Sequence, residues 1–281
     1  MVVFSVSFGE LHEALFRHHR IGLVVGCCRS PPPAPAATAT APAVAEALAP
    51  VVETAPIDPF AEPRNLVEFQ ANNIANLKKA IELYEAALKD ESSAKRVRAE
   101  ACSDVARAYL RWGDLLKNDE EKIALYEKGM AAGKRGEAID PQSEAAAFWG
   151  TANQACVGRT RGPMNSLFMV GDLKKGMNRA LSINPNYHWA RNTLGEIDHS
   201  VPGFVGGSDD RAEKAYLETL RRDSHFTAAM VLLAKLKRDN GDKEAAIAWA
   251  QKVINEKAPT HRNDWKKFDL NDARAVLQEL Q

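Results

Sequence analysis

Cys27 is the residue with the clearest chemical context. Arg17-His18-His19-Arg20 precedes the apolar run Ile21-Gly22-Leu23-Val24-Val25-Gly26, and the sequence turns into Ser30-Pro31-Pro32-Pro33 soon after the cysteine. Basic residues, an apolar run and a small residue before cysteine is the order of a bacterial lipoprotein signal, in which the thiol is acylated and becomes the new N-terminus. The apolar run is only about seven residues long, shorter than a good signal core. Glu10, His12 and Glu13 also stand upstream, where a signal carries no acids. A start codon set too far upstream, or a damaged signal, would account for these features; secretion without lipid, or a tail unrelated to export, are the alternatives.

Three histidines, His188, His199 and His225, fall close to Asp198 and Asp223, which raises metal binding or acid-base catalysis. No two have the i, i+4 spacing that aligns ligands on one helix face, so neither role is expected. Pro202, Gly203, Gly206 and Gly207 precede a helix and invite comparison with a phosphate-binding loop. The stretch lacks the lysine that reaches phosphates, and Asp209-Asp210 at the helix start repels an anion. The four residues read as a structural elbow in which glycine supplies backbone angles that other residues resist. Cys102 and Cys156 lie on apolar helix faces without metal-ligand spacing and read as buried thiols. No catalytic residue, metal or cofactor is expected, and the chain reads as a non-enzyme.

The elements that hold these residues are helices. Alanine, leucine, glutamate and lysine dominate after residue 64, while valine, isoleucine and threonine never alternate over a strand's length. The expected fold is all-α. With 281 residues, 45% hydrophobic and 26% charged, the chain can bury a core, and its 37 basic and 37 acidic residues leave no net field for nucleic acid. Residues 1–28 form the signal-like segment. Residues 29–63, rich in Pro, Ala and Thr, form a semi-rigid tether, and 64–281 form the folded domain. No segment reaches the eighteen or so apolar residues that span a bilayer.

Leu181 to Ser224 sets the architecture. Asn184-Pro185 ends one helix and opens the next, and the elbow separates that second helix from a third, N-capped by Ser208. Leu194-Gly195, Ala212, Tyr216 and Thr219 fall at tetratricopeptide spacing with about five extra residues in the elbow. Leu233-Ala234, Gly241, Ala246, Ala250 and Pro259 repeat the pattern. The expectation is a stack of antiparallel helical hairpins, a TPR-like solenoid of about ten helices. Ahead of this unit, one long helix is expected from Leu66 to Leu88. Others are expected from about Ala94 to Leu116, around Ile123–Met130 with Gly129 and Gly133 allowing close contact, and from Gln142 to Val157. Arg159-Thr160-Arg161-Gly162-Pro163 reads as a basic connector, and a final helix from Asp269 to Leu280 as a cap.

Phe148, Trp149, Leu167, Phe168 and Trp189 concentrate large side chains mid-stack, where small and medium residues would suffice. They read either as ordinary core or as the border of a cavity for an apolar ligand.

Leu125-Tyr126-Glu127-Lys128-Gly129, Phe148-Trp149 followed by Gly158 and Gly162-Pro163, Ala180-Leu181 with Asn184-Pro185, and above all Pro202-Gly203-Phe204-Val205-Gly206-Gly207-Ser208 resemble the T-component (TatT-like) family of tripartite ATP-independent periplasmic (TRAP) transporter accessories. The resemblance covers roughly residues 65 to 260. It implies a periplasmic, lipid-anchored, all-helical accessory that associates with itself and with the transporter's solute-binding subunit and handles an apolar ligand. A general cell-envelope scaffold that binds proteins or peptides is the alternative.

Overall fold

The computed structural model describes residues 58–71 and 73–281. Cys27, the signal-like segment and nearly all of the tether lie outside the described residues. Those described fold as helices without a strand, and consecutive helices pack against one another as hairpins.

The helices are α1 (Ala61–Phe69), α2 (Ile74–Ala87), α3 (Lys95–Leu115), α4 (Asp119–Ile139), α5 (Glu144–Arg161), α6 (Pro163–Ile183), α7 (His188–Ser200), α8 (Asp209–Arg222), α9 (Thr227–Asp239), α10 (Lys243–Asn255) and α11 (Leu270–Glu279). The single helix expected over Leu66–Leu88 is two, because Asn73 caps α2 by accepting a hydrogen bond from the Ala75 amide at 2.8 Å. The expected basic connector is also largely helix: α5 continues to Arg161, and only Gly162, at φ 103°, separates it from Pro163 at the start of α6. A short helix, Arg262–Asp264, and a π-turn, Trp265–Asp269, precede α11 where no regular element is expected from the sequence.

The turns between hairpins repeat one device. Asp90, Asp140, Asn184 and Asp223 each accept a hydrogen bond from the amide two residues on, at Ser92, Gln142, Asn186 and His225, over 2.9–3.0 Å. Such Asx turns end one helix and release the chain into the next. The turn forms at Asp223-Ser224 as it does at Asn184-Pro185, so the carboxylate or amide matters more than the proline.

Close packing within hairpins uses a glycine facing a tyrosine. A Cβ on Gly113 would stand 2.4 Å from the Tyr126 ring, and one on Gly195 2.5 Å from the Tyr216 ring. Gly133 meets the backbone of Gly150, drawing α4 against α5. Ala212 of α8 is completely buried in the core.

Helix length changes along the stack. α3, α4 and α6 have 21 residues and α5 has 18, whereas α7, α9 and α10 have 13 and α8 has 14. At 1.5 Å per residue these are hairpins of about 30 Å followed by hairpins of about 20 Å. The step falls between α6 and α7.

Connections in the second half of the stack take three or four residues, except for the elbow and the segment after α10. Residues 256–269 leave α10, cross other helices and return to α11. Asp269 on this segment is 2% exposed and accepts a 2.6 Å hydrogen bond from Thr227. Burial pushes its carboxyl up to about 7; Thr227 and Lys235 oppose the rise, while Asp264 and Asp272 add to it. Between the ordinary carboxylate value and about 7 the folded chain therefore holds more protons than the unfolded one, and stability falls as pH rises. Asp269→Asn is expected to gain on the wild type through that window, by a total on the order of 3 to 4 kcal/mol. Chemical denaturation at pH 5 and pH 8 checks this. An equal difference at both pH values counts against it.

Candidate functional site

The step in helix length creates the site. Lys174 on α6 donates to the Gly206 carbonyl at 2.8 Å, which sets the height of the elbow against α6. Pro163 to Lys174 is three turns, so about 16 Å of α6 stands beyond the elbow. Beneath this overhang lies a cavity of about 120 Å³ between α5, α6 and α7.

Its walls are apolar: Pro163, Leu167, Val170 and Leu173 from α6, with Ile197 and Val201 from the end of α7 and its exit. Pro163, Leu167, Val170 and the neighbouring Ser166 share one face of α6 by their spacing. Two charged groups also line it, Arg159 and Glu196. Arg159 is held by Asp114 at 3.5 Å and donates towards the Cys156 sulfur at 3.6 Å. Glu196 is half-buried, and loss of hydration pushes its carboxyl up to about 7 against the fields of Lys235 and Arg159. The Cys156 thiol is pushed up to about 12 by burial, so it stays protonated at neutral pH and is no nucleophile. The arrangement offers binding: an apolar slot with one carboxyl and one guanidinium at its walls.

Of the five side chains expected at a cavity, Leu167 alone lines this one. Phe148, Trp149 and Trp189 are core residues. Phe148 packs edge-on against Trp149 at 5.1 Å and Tyr187 at 5.4 Å, and Trp189 against Phe226 at 5.0 Å. Phe168 is neither core nor cavity wall. It is 79% exposed, because one residue beyond Leu167 turns the side chain about 100° around α6. Met164, one turn earlier on the same face, is 50% exposed, and Phe204 on the elbow is 87% exposed. Phe168→Ala should therefore leave stability within about 0.5 kcal/mol of wild type. A loss of several kcal/mol on thermal unfolding would place the ring in a packed site after all.

The elbow is fastened from three sides. The 3₁₀ turn Gly203–Val205 leads to Gly206 at φ 91°, and the Ser208 amide donates to the Asp198 carbonyl at 2.7 Å. Burial alone would raise the Asp198 carboxyl, but Arg211 and Lys174, at 2.8 and 2.6 Å, hold it below its ordinary value. Both cations also donate to the Gly206 carbonyl. Of the elbow glycines, Gly206 supplies a left-handed angle. Gly207 supplies room, since a Cβ there would fall 1.6 Å from the Val201 carbonyl oxygen. A Cβ on Gly203 would meet nothing.

The three histidines go to separate partners. His199 bridges Asp209 at 2.7 Å and Asp239 at 3.1 Å, His225 pairs with Glu256 at 3.0 Å, and His188 packs edge-on against Phe226. Among the described residues no group of three His, Cys, Asp or Glu side chains is disposed to hold a metal ion, and no helix is long and apolar enough to cross a membrane.

No family model matches the sequence, and no curated protein matches it. Among solved structures, the chain is similar to a thermophilic TPR protein of Thermus thermophilus, with a TM-score of 0.57 and 19% identity over 78% of this chain and 99% of that one. Two crystal structures of MamA are also similar. Their TM-scores are 0.43 and 0.40 at 18% and 16% identity, covering 65% and 75% of this chain and 89% and 96% of theirs. At such identities the first likeness speaks to the fold, which is that of a TPR-like solenoid. The comparisons do not reach the TRAP T-component family that the elbow resembles.

Proposed function

We propose that this chain is a non-enzymatic helical-repeat scaffold that recruits a protein partner. The observation that carries this reading is the stepped end of the stack. Met164 and Phe168 present large apolar side chains to solvent on the overhanging half of α6 that walls the cavity, and Phe204 presents another on the elbow. Isolated exposed apolar residues are ordinary, but two large ones a turn apart on the half of α6 that walls the cavity suit a protein contact.

A finer reading is favoured by the elbow sequence together with the cavity. On it, the chain is a periplasmic accessory of a TRAP transporter, anchored through a lipid on Cys27, that meets the solute-binding subunit at the stepped end. An apolar molecule would enter the 120 Å³ slot. The lining suits a small apolar body with one polar end directed to Glu196 or Arg159.

The test is capture from the native cell envelope by the wild-type chain and by two variants, with mass spectrometry of retained proteins and extracted small molecules. Wild type is expected to retain a TRAP-type solute-binding protein. Phe168→Ser with Phe204→Ser should lose it. Val170→Trp, which fills the slot, should lose the small molecule. A different protein retained only with Phe168 and Phe204 intact supports the scaffold reading and removes the transporter one; retention indifferent to both changes removes both. Fatty-acid labelling that persists in Cys27→Ala would sink the anchor.

A further inference from the structure

The charged groups around the cavity are matched, with one exception. Arg159 of α5 is held by Asp114 at 3.5 Å and is also hydrogen-bonded to Tyr126. Lys235 of α9 pairs with Asp272 of α11 at 2.7 Å, and His199 bridges Asp209 and Asp239. The exception is Glu196 on the cavity wall, where among the described residues no hydrogen bond or ion pair reaches the carboxyl. A polar group that has given up hydration at an apolar wall and gained no partner is costly to the fold. A ligand that brings the missing donor accounts for it.

The sign of that ligand follows from the same count. Arg159 with Asp114 and Lys235 with Asp272 cancel, which leaves a single uncompensated carboxyl at the slot. An anionic ligand would face Glu196 and find Arg159 already engaged. A quaternary ammonium carries no N–H and would leave the carboxyl unpaired, whereas a primary ammonium has three donors. Two hydroxyls stand ready to accept from it, since Thr193 and Ser200 line the cavity one turn before and one turn after Glu196 on α7. The apolar walls set the body of the ligand. A cavity of about 120 Å³ is somewhat smaller than the ~150 Å³ apolar cavity that admits benzene, so it suits a chain of about five carbons.

We propose that the slot between α5, α6 and α7 binds a short primary alkylammonium, its chain against Leu167, Val170 and Ile197 and its nitrogen on Glu196, Thr193 and Ser200. This rests on the reading of the cavity as a small-molecule site, and it commits that site to one headgroup and one sign of charge.

Binding is linked to protons. Lost hydration and the Asp272 charge raise the Glu196 carboxyl to about 7 against the fields of Lys235, Arg159 and His199, while Tyr216 of α8 is buried and stays neutral. The ammonium selects the ionised carboxylate, so affinity increases as pH rises through about 7. An alkylamine, like lysine, stays charged throughout that range.

The probe is n-pentylamine, titrated into the full chain and followed by NMR on the backbone amides of residues 193–201, with n-pentanol and pentanoate as neutral and anionic equivalents. At pH 8 wild type should bind the amine about tenfold more tightly than the alcohol, as one charge-assisted hydrogen bond implies, and should not bind pentanoate. Glu196→Gln should bring the amine down to the level of the alcohol, and Val170→Trp should abolish both. From pH 6 to pH 8 the wild-type affinity for the amine should rise about tenfold while that for the alcohol stays level, which decides the matter if Glu196→Gln does not fold. An alcohol bound as tightly as the amine, or an amine preference that survives in Glu196→Gln, overturns the ammonium assignment and leaves the slot as a small-molecule site. Tighter binding of pentanoate overturns the assignment in the same way. Binding of none of the three overturns the assignment and the small-molecule reading of the slot together.

Discussion

Gly207→Ala is expected to destabilise the chain by about 3 kcal/mol or more, since the new methyl group has nowhere to go. Its Cβ would stand 1.6 Å from the Val201 oxygen, 2.7 Å from the Val201 carbonyl carbon and 3.0 Å from the Asp198 oxygen. All three are backbone atoms, so no side chain can swing aside. The same turn carries the Gly207 amide to Pro202 at 3.1 Å and the Ser208 amide to Asp198 at 2.7 Å, and moving the chain to admit the methyl strains both. Gly203→Ala, only four residues earlier, should be nearly silent because a Cβ there meets nothing within 4 Å. Chemical denaturation of the two variants beside wild type decides the matter. A Gly207→Ala chain within 0.5 kcal/mol of wild type, on the order of a neutral surface change, would mean the elbow is looser than its contacts imply.

Gly133→Leu should be comparably damaging, by about 3 kcal/mol, through a different contact. A Cβ at Gly133 would lie 2.5 Å from the Gly150 Cα and 2.7 Å from its nitrogen, so α4 and α5 meet backbone to backbone. A leucine there forces the two helices apart along a seam that also holds Ala132 and Ala146. The contact is asymmetric: a Cβ at Gly150 sits 3.4 Å from Gly133, an ordinary separation. Gly150→Ala should therefore be tolerated, with the helix-propensity gain of about 1 kcal/mol offsetting the tighter fit. Similar thermal shifts for the two variants would contradict the asymmetry.

Much of the repeat architecture was legible because its signals are local. Asn184-Pro185, Gly241 and Ser208 mark helix ends by their own backbone chemistry, and Leu194-Gly195 marks the hairpin seam filled by Tyr216. The division between α1 and α2 was not, because no glycine or proline stands there and the apolar spacing runs on through Asn73. The cavity was half legible. The large side chains mark the region, but composition gives no direction, and Leu167 and Phe168 differ only in which side of α6 they occupy. Glu196 was missed since a single glutamate on a helix reads as solvated. The stripe Thr193, Glu196, Ile197 and Ser200, at helical spacing, was the signal that could have found it. Beyond Pro259, which marks the end of α10, the crossing segment was not legible, because residues 260–268 have no helical period and their partners lie as far away as Arg111.

That long-range contact bears on how the molecule comes apart. In an open stack of repeats each hairpin touches only its neighbours, so the array can fray from either end and lose its repeats in sequence. Here Phe268 rests on Arg111 of α3 and Asp269 on Thr227 of α9, so the last segment is clasped to an early helix as well as to its own neighbours. The terminal hairpins cannot melt without giving up the contact to α3 as well as those to their neighbours. The clasp turns a one-dimensional array into a loop, and a loop tends to open all at once. The connection after α10 is therefore expected to make unfolding more cooperative than in an open array.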